Sequence, residues 1–191
     1  MIESLYAIVD AEVAERPLEL TFEVLNAGCA MVQLRAKRLD DTAFMKIARR
    51  VRSACTHANV PFIVNDRADI ARLVRADGLH LGQDDLSIEE ARRVVGKMRI
   101  GISTHDLAQA AKADAEGADL IAFGPVFETR TKANPDPVVG LDTLEEVCHT
   151  VSRPVVAIGG ITPENAEEAL GAGARYIAAI SALPRFLDDA L

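Results

Sequence analysis

Short β-branched apolar runs alternate with amphipathic stretches along this chain, and the cycle repeats about eight times. The apolar runs at 5–9, 31–35, 61–65, 78–81, 99–103, 120–124, 154–158 and 176–180 predict strands. Between them, "PLELTFEVLNAG", "DTAFMKIARRVRSACTHAN", "ADIARLV", "LSIEEARRVVGKM", "DLAQAAKADAEGA" and "TPENAEEALGAGA" carry helical periodicity. Gly28, Gly117 and Gly173 follow three of these helices, as a left-handed C-terminal stop requires. The strands read as continuous apolar runs rather than strict alternations, which is the mark of parallel strands buried on both faces.

Eight strand–helix cycles without a compositional break predict an α/β fold, a compact single-domain (β/α)8 TIM barrel over residues 1–191. An open doubly wound sheet is the competing architecture, but it normally uses five or six strands. "LPRFLDDAL" leaves little length for the last barrel helix, so a shortened C-terminal helix is expected, or a partner subunit over that face.

Composition narrows the function classes. A formal charge of −8 and a pI near 5.0 argue against nucleic acid, whose phosphates are bound by basic patches. With no Trp and two Tyr there is no aromatic platform for stacked bases. No apolar run approaches the roughly 20 residues of a membrane span and no signal-like segment follows Met1, so no membrane partner and a cytoplasmic location are expected. Cys29, Cys55 and Cys148 lie far apart and predict buried free thiols.

The barrel reading requires functional groups where strands end and βα loops begin. Polar residues fall there on strand after strand: Gln33, Arg35 and Lys37 at alternate positions in "QLRAK", then Asn65 and Asp66, "HLGQDD", Ser103 to His105, "GPVFETRTK", "GGIT" and "ISA". Each has a plain reading alone. Asp66 suits a helix N-cap, the histidines suit satisfied loop positions, and a glycine pair suits a turn. In "HLGQDD" capping is the less economical account of Asp84 and Asp85, because Ser87 and Glu90 already have capping-box spacing.

As a set, the chemistry is coherent. Asp66 and Asp85 match the oxygen-rich site that Mg²⁺ prefers when substrate phosphates share it. Arg35, Lys37 and Lys132 supply cationic donors for a diphosphate. Backbone N–H groups at Gly159 and Gly160, with those near Ile180 and Ser181, stand where barrels commonly bind a monophosphate.

At these residues the sequence resembles the thiamine-phosphate synthase family, through "LYAIVD", "VQLRAK", "NDRADIA", "ADGLHLGQDD", "IGISTH", "FGPVFETRTKAN" and "PVVAIGGITPENA" in family order. The resemblance implies a transferase of thiamine biosynthesis. A pyrimidine methyl diphosphate would lose pyrophosphate and its cation would be captured by the ring nitrogen of a thiazole phosphate. By the same resemblance Gln33, Arg35, Lys37, Asn65 and Lys132 would hold the pyrimidine diphosphate, Asp66 and Asp85 would bind Mg²⁺, and His80 and Ser103 would line the pyrimidine pocket. Thr129, Thr131, Gly160, Ile180 and Ser181 would receive the thiazole phosphate, with Arg35, Lys37, Ser103 and Lys132 as the catalytic set. Ala36 stands where the family usually has Glu. The implied partners are these small molecules; a homodimer mate is the alternative to a very short last helix.

Two other readings stay open at this point. A thiazole tautomerase of the same family would dispense with a diphosphate-bound metal and would use a group such as His105 for proton transfer. A non-catalytic barrel that binds thiamine precursors shares the fold, which alone does not decide function.

Overall fold

The structure, a computed structural model, describes residues 2–129 and 136–188. Eight strands, β1 (Leu5–Asp10), β2 (Met31–Arg35), β3 (Phe62–Asn65), β4 (Gly78–Leu81), β5 (Arg99–Thr104), β6 (Leu120–Phe123), β7 (Val155–Ala157) and β8 (Tyr176–Ala179), close into a barrel in chain order. Every neighbouring pair is parallel, and β1 also pairs with β8. The helices α1 (Pro17–Asn26), α2 (Asp41–Ala58), α3 (Ala68–Val74), α4 (Ile88–Val95), α5 (Leu107–Ala115), α6 (Gly140–Thr150), α7 (Pro163–Gly171) and α8 (Leu183–Asp188) alternate with them. The expected TIM barrel is therefore present, and its last described helix is six residues long. Among the described residues no helix is long and apolar enough to cross a membrane.

The period of two within each strand divides the interior into two cores. Leu5, Ala7, Val9, Val32, Leu34 and Val64 face outward and pack with the helices. Tyr6, Met31, Ile63, Ala122, Val156 and Ala178 face inward and fill the barrel. Branched side chains normally fill such an interior in layers. Here small residues at Gly78, Gly101, Ala122 and Ala178 leave room for two cavities, one at each mouth.

Helix ends follow their local signals. Gly28, Gly117 and Gly173 all take positive φ just past α1, α5 and α7. The Ser87 hydroxyl accepts from the Glu90 backbone N–H and the Glu90 carboxylate accepts from the Ser87 backbone, so the capping box at α4 is formed. Asp84 is exposed, whereas the half-buried Asp85 accepts at 2.7 Å from the Gly82 backbone N–H and so folds the loop rather than capping the helix. Ser87→Ala is expected to cost about 1 kcal/mol of stability, and Asp84→Ala to leave the urea unfolding midpoint unchanged; paired denaturation curves check both.

Candidate active site

The inward residues at the C-terminal ends of the strands surround a cavity of about 580 Å³. Its floor is a buried polar layer. The Gln33 amide on β2 donates to the Tyr6 hydroxyl on β1 at 2.7 Å, and both side chains are almost fully buried. His80 on β4 lies edge-on to Tyr6 with ring centroids 6.2 Å apart, and its Nε2 is 2.9 Å from Ser103 Oγ on β5. Burial lowers the His80 pKa to about 4, with the Asp85 charge opposing, so the ring is neutral at physiological pH. Burial also raises the Tyr6 phenol well above its ordinary value, so it stays protonated. The floor therefore offers uncharged hydrogen-bonding groups, suited to a polar heterocycle rather than an ion.

Charge is confined to the rim. Arg35 ends β2 directly opposite Asp10, the last residue of β1, and the two form an ion pair. The Asp10 side chain is 1% exposed, and it also accepts from the Glu12 backbone N–H at 2.9 Å. Asp10 engages one terminal nitrogen of Arg35, leaving the rest of the fork to face the cavity. Glu12 in turn accepts from the backbone and side chain of Arg38, pinning the loop after β1 to the loop after β2.

A second cluster lies beyond β3 and β4. Lys37 Nζ is 3.3 Å from Asp66 Oδ2. The Asp66 carboxyl is also within hydrogen-bonding reach of Asp85, and desolvation first, then the Asp85 carboxylate, raises its pKa against the pull of Lys37. Asp66 does not cap α3: its φ is +58°, the helix begins after Arg67, and no side chain caps it. A left-handed non-glycine residue at a strand end aims the carboxylate across at Asp85 rather than down the helix. Two facing carboxylates fit Mg²⁺, which takes one or two protein carboxylates and completes its shell with water and substrate phosphate. Among the described residues no group of three or more candidate ligands gathers, so any ion here depends on such outside oxygens.

Opposite this cluster, Gly159 and Gly160 follow β7, and Ile180 and Ser181 follow β8, all lining the cavity. Gly160 has φ +68°, and a Cβ there would lie 2.4 Å from the Glu128 carbonyl oxygen. Only glycine lets these two loops touch, which leaves bare backbone at the wall. Asn165 Nδ2 donates to the Gly160 carbonyl at 3.0 Å while its Oδ1 accepts from Thr162 N at 2.8 Å, holding the turn. Thr129 also lines this side.

Comparison with known proteins places the chain in a family. A family model described as thiamine monophosphate synthase matches residues 5–183. The chain belongs to the thiamine monophosphate synthase family. The thiamine-phosphate synthase of Methanocella arvoryzae is 47% identical over 166 residues, covering 86% of this chain and 78% of that protein. The corresponding enzyme of Koribacter versatilis is 44% identical over 186 residues, covering 94% and 88%. Among solved structures, the thiamine phosphate pyrophosphorylase of Pyrococcus furiosus superposes with a TM-score of 0.87 at 32% identity, covering 98% of this chain and 96% of that one.

The expected residues of this family member divide into three groups. Gln33, Arg35, Asn65, His80, Ser103, Thr129, Gly160, Ile180 and Ser181 share the main cavity. Lys37, Asp66 and Asp85 form their own cluster at the rim and do not line that cavity. Thr131 and Lys132 lie outside the described residues. His105 lines the cavity with Nδ1 2.6 Å from the Gly124 carbonyl and Nε2 3.5 Å from Asp136. A carbonyl accepts only, so Nδ1 carries the proton there and the ring is held as part of the wall.

Asp10 and Tyr6 contact the candidate site residues Arg35 and Gln33, and sequence reasoning missed them. The available signal for Asp10 was a carboxylate closing an apolar inward strand, one strand from Arg35. Removing Asp10 leaves the mostly buried Arg35 uncompensated, so Asp10→Ala is expected to cost about 3 kcal/mol. Urea unfolding should also show most of that loss recovered when Arg35→Met is added to the same chain.

Proposed function

We propose that this chain couples a pyrimidine methyl diphosphate to a thiazole phosphate, giving thiamine phosphate and pyrophosphate. It is a transferase of the thiamine-phosphate synthase type, as its family membership and high-coverage relatives support. The observation that carries the reading is the pairing, across one cavity mouth, of a carboxylate couple with adjacent cations and a bare glycine turn. These are two anion sites of different kinds, as two phosphorylated substrates require.

In this reading the floor holds the pyrimidine, with Ser103 and Asn65 as hydrogen-bonding walls, and Gln33 fixed by Tyr6 as a rigid base. Arg35 presents its guanidinium to the diphosphate, oriented by Asp10. Lys37 adds a second cation, and Lys132 is assigned the same duty. Asp66 and Asp85 would hold Mg²⁺, which when bound supplies positive charge against the leaving diphosphate. Gly160, Ile180, Ser181, Thr129 and Thr131 would seat the thiazole phosphate. The methylene–oxygen bond breaks, the pyrophosphate takes the electron pair, and the thiazole nitrogen forms the new carbon–nitrogen bond. Such a step asks for charge stabilisation and alignment rather than a protein nucleophile. Apolar walls at Ile8, Ala122, Ile158 and Ala178 keep water from competing for the cation.

A tautomerase would not need the carboxylate couple, and the carbonyl-bound Nδ1 of His105 is committed to the wall. One domain spanning 1–191, a cytoplasmic location and a homodimer belong to the same proposal. The half-exposed Phe22 on α1, which packs beside α8, is apolar surface that a dimer mate would cover.

The decisive experiment is pyrophosphate release from purified protein given both substrates, with and without Mg²⁺. Release that needs both substrates and the metal is expected; no release from folded protein would overturn the reading. Asp85→Ala is expected to lower Mg²⁺-dependent release at least 100-fold, roughly 2.7 kcal/mol of barrier, with an unchanged circular dichroism spectrum.

Metal binding also predicts a pH signature. Because the Asp66 pKa is raised in the metal-free fold, the native state keeps that proton to higher pH than the unfolded chain does. Its stabilising contribution is present below the ordinary value of 3.8 and is lost as pH rises through the raised one. Above that window, metal-free Asp66→Asn is expected to melt higher than the native protein, and Mg²⁺ to stabilise the native protein alone. Thermal midpoints from acid to neutral pH, with and without Mg²⁺, measure both effects.

A further inference from the structure

Three non-glycine residues take a left-handed backbone among the described residues: Asn59, Asp66 and Arg75. Asn59 and Arg75 stand at the C-terminal ends of α2 and α3, where that conformation stops a helix. Asp66 has no such reason, because it lies between β3 and α3. It sits in two successive three-residue turns: the Arg67 backbone N–H donates to the Asn65 carbonyl at 2.7 Å, and the Ala68 N–H to the Asp66 carbonyl at 3.1 Å. Glycine would adopt this backbone most cheaply. A carboxylate stands there instead, and a strained residue of this kind persists only where its surroundings hold it.

The neighbour equipped to do so is Arg67. Its Nε and Nη2 donate to the two oxygens of Asp69 at 2.9 and 2.7 Å, and its Nη1 donates to Asp41 at 2.6 Å. Asp69 lies in the first turn of α3, so the guanidinium fork ties the turn to the helix that follows it. Asp41 begins α2, directly after the loop that carries Lys37. The same loop is pinned on its other side, where Arg38 donates to Glu12. One guanidinium therefore joins the loop bearing Lys37 to the turn bearing Asp66, whose Oδ2 is 3.3 Å from Lys37 Nζ. An isolated surface ion pair holds little in place. This one is bidentate at one end and bridging at the other, with the arginine side chain 33% exposed.

We propose that Arg67 is a positioning residue for the carboxylate couple: it braces the left-handed turn that aims Asp66 at Asp85 and fixes that turn against the Lys37 loop. Lysine could not replace it, since an ammonium lacks the planar fork. That the braced carboxylate serves Mg²⁺ rests on the proposed function; the bracing itself does not. Arg67 does not line the cavity, so its loss reads out through Asp66 rather than through a substrate contact.

The test uses the full chain and compares native protein with Arg67→Met, Arg67→Lys and Asp41→Ala. Metal-free crystal structures are expected to show Asp66 leaving positive φ and turning from Asp85 in Arg67→Met. Calorimetry with magnesium pyrophosphate as the probe is expected to show binding about tenfold weaker in that variant, as for other groups that orient metal ligands. Arg67→Lys is expected to match it, because charge without the fork does not brace the turn. Asp41→Ala, which severs only the bridge to the Lys37 loop, is expected to weaken binding less and to leave Asp66 at positive φ. The KM for the thiazole phosphate should stay unchanged in all three, because that phosphate is assigned to the opposite wall; a merely structural role would move the KM of both substrates together. Positive φ retained at Asp66 in Arg67→Met, full magnesium pyrophosphate affinity in that variant, or a thiazole phosphate KM that rises alongside would overturn the proposal. Should Arg67→Met fail to fold, a native backbone and native affinity in Arg67→Lys would overturn it equally. Native protein that binds no magnesium pyrophosphate would refute the metal reading of the rim, while the metal-free backbone comparison still decides the role of Arg67.

Discussion

Closing eight parallel strands into a ring obliges each strand to bury both faces, and this constraint organises the rest of the molecule. Outward residues must match helices and inward residues must match one another, so polar groups inside the barrel pair across neighbouring strands. Gln33 with Tyr6 and His80 with Ser103 are such pairs, formed across strands 27 and 23 residues apart. Full charge is displaced to the strand ends, where solvent and opposite charges share its cost.

That displacement gives the site its gradient. Neutral hydrogen-bonding groups lie at the floor, a buried ion pair steadies Arg35 at the lip, and the carboxylate couple with Lys37 stands beyond it. A substrate with an uncharged ring and a charged tail finds each part of itself matched by depth. Desolvation, and then the facing Asp85 carboxylate, raise the Asp66 pKa against the pull of Lys37, a penalty that a divalent cation would relieve.

The barrel was legible in the sequence because each of its signals is local. Strand limits read from apolar runs agree with the structure to within about a residue, since continuous apolarity reflects burial that every parallel strand shares. The Ser87–Glu90 box and the glycines after α1, α5 and α7 act over three or four residues. Most of the rim residues were legible too, because the end of a strand is where an inward position becomes wet. Asp10 was not, since an acidic residue closing an apolar strand reads as a simple boundary until β1 and β2 are set in register and bring it opposite Arg35. Nor was it apparent that Asp66 leaves the helix it precedes; its left-handed backbone and the reach of Asp85 are tertiary facts.

By itself the sequence determined the alternation of strands and helices, the inward and outward faces, the helix caps and the rim's inventory of charged and polar side chains. These follow from periodicity and from hydrogen bonds within one turn. Tertiary structure alone decided which inward residues meet, that small side chains at Gly78, Gly101, Ala122 and Ala178 leave two cavities, and that Tyr6 and His80 line both. Those outcomes depend on the register of strands distant in the chain, and the period of two specifies which face a residue takes but not the height at which it meets its neighbour.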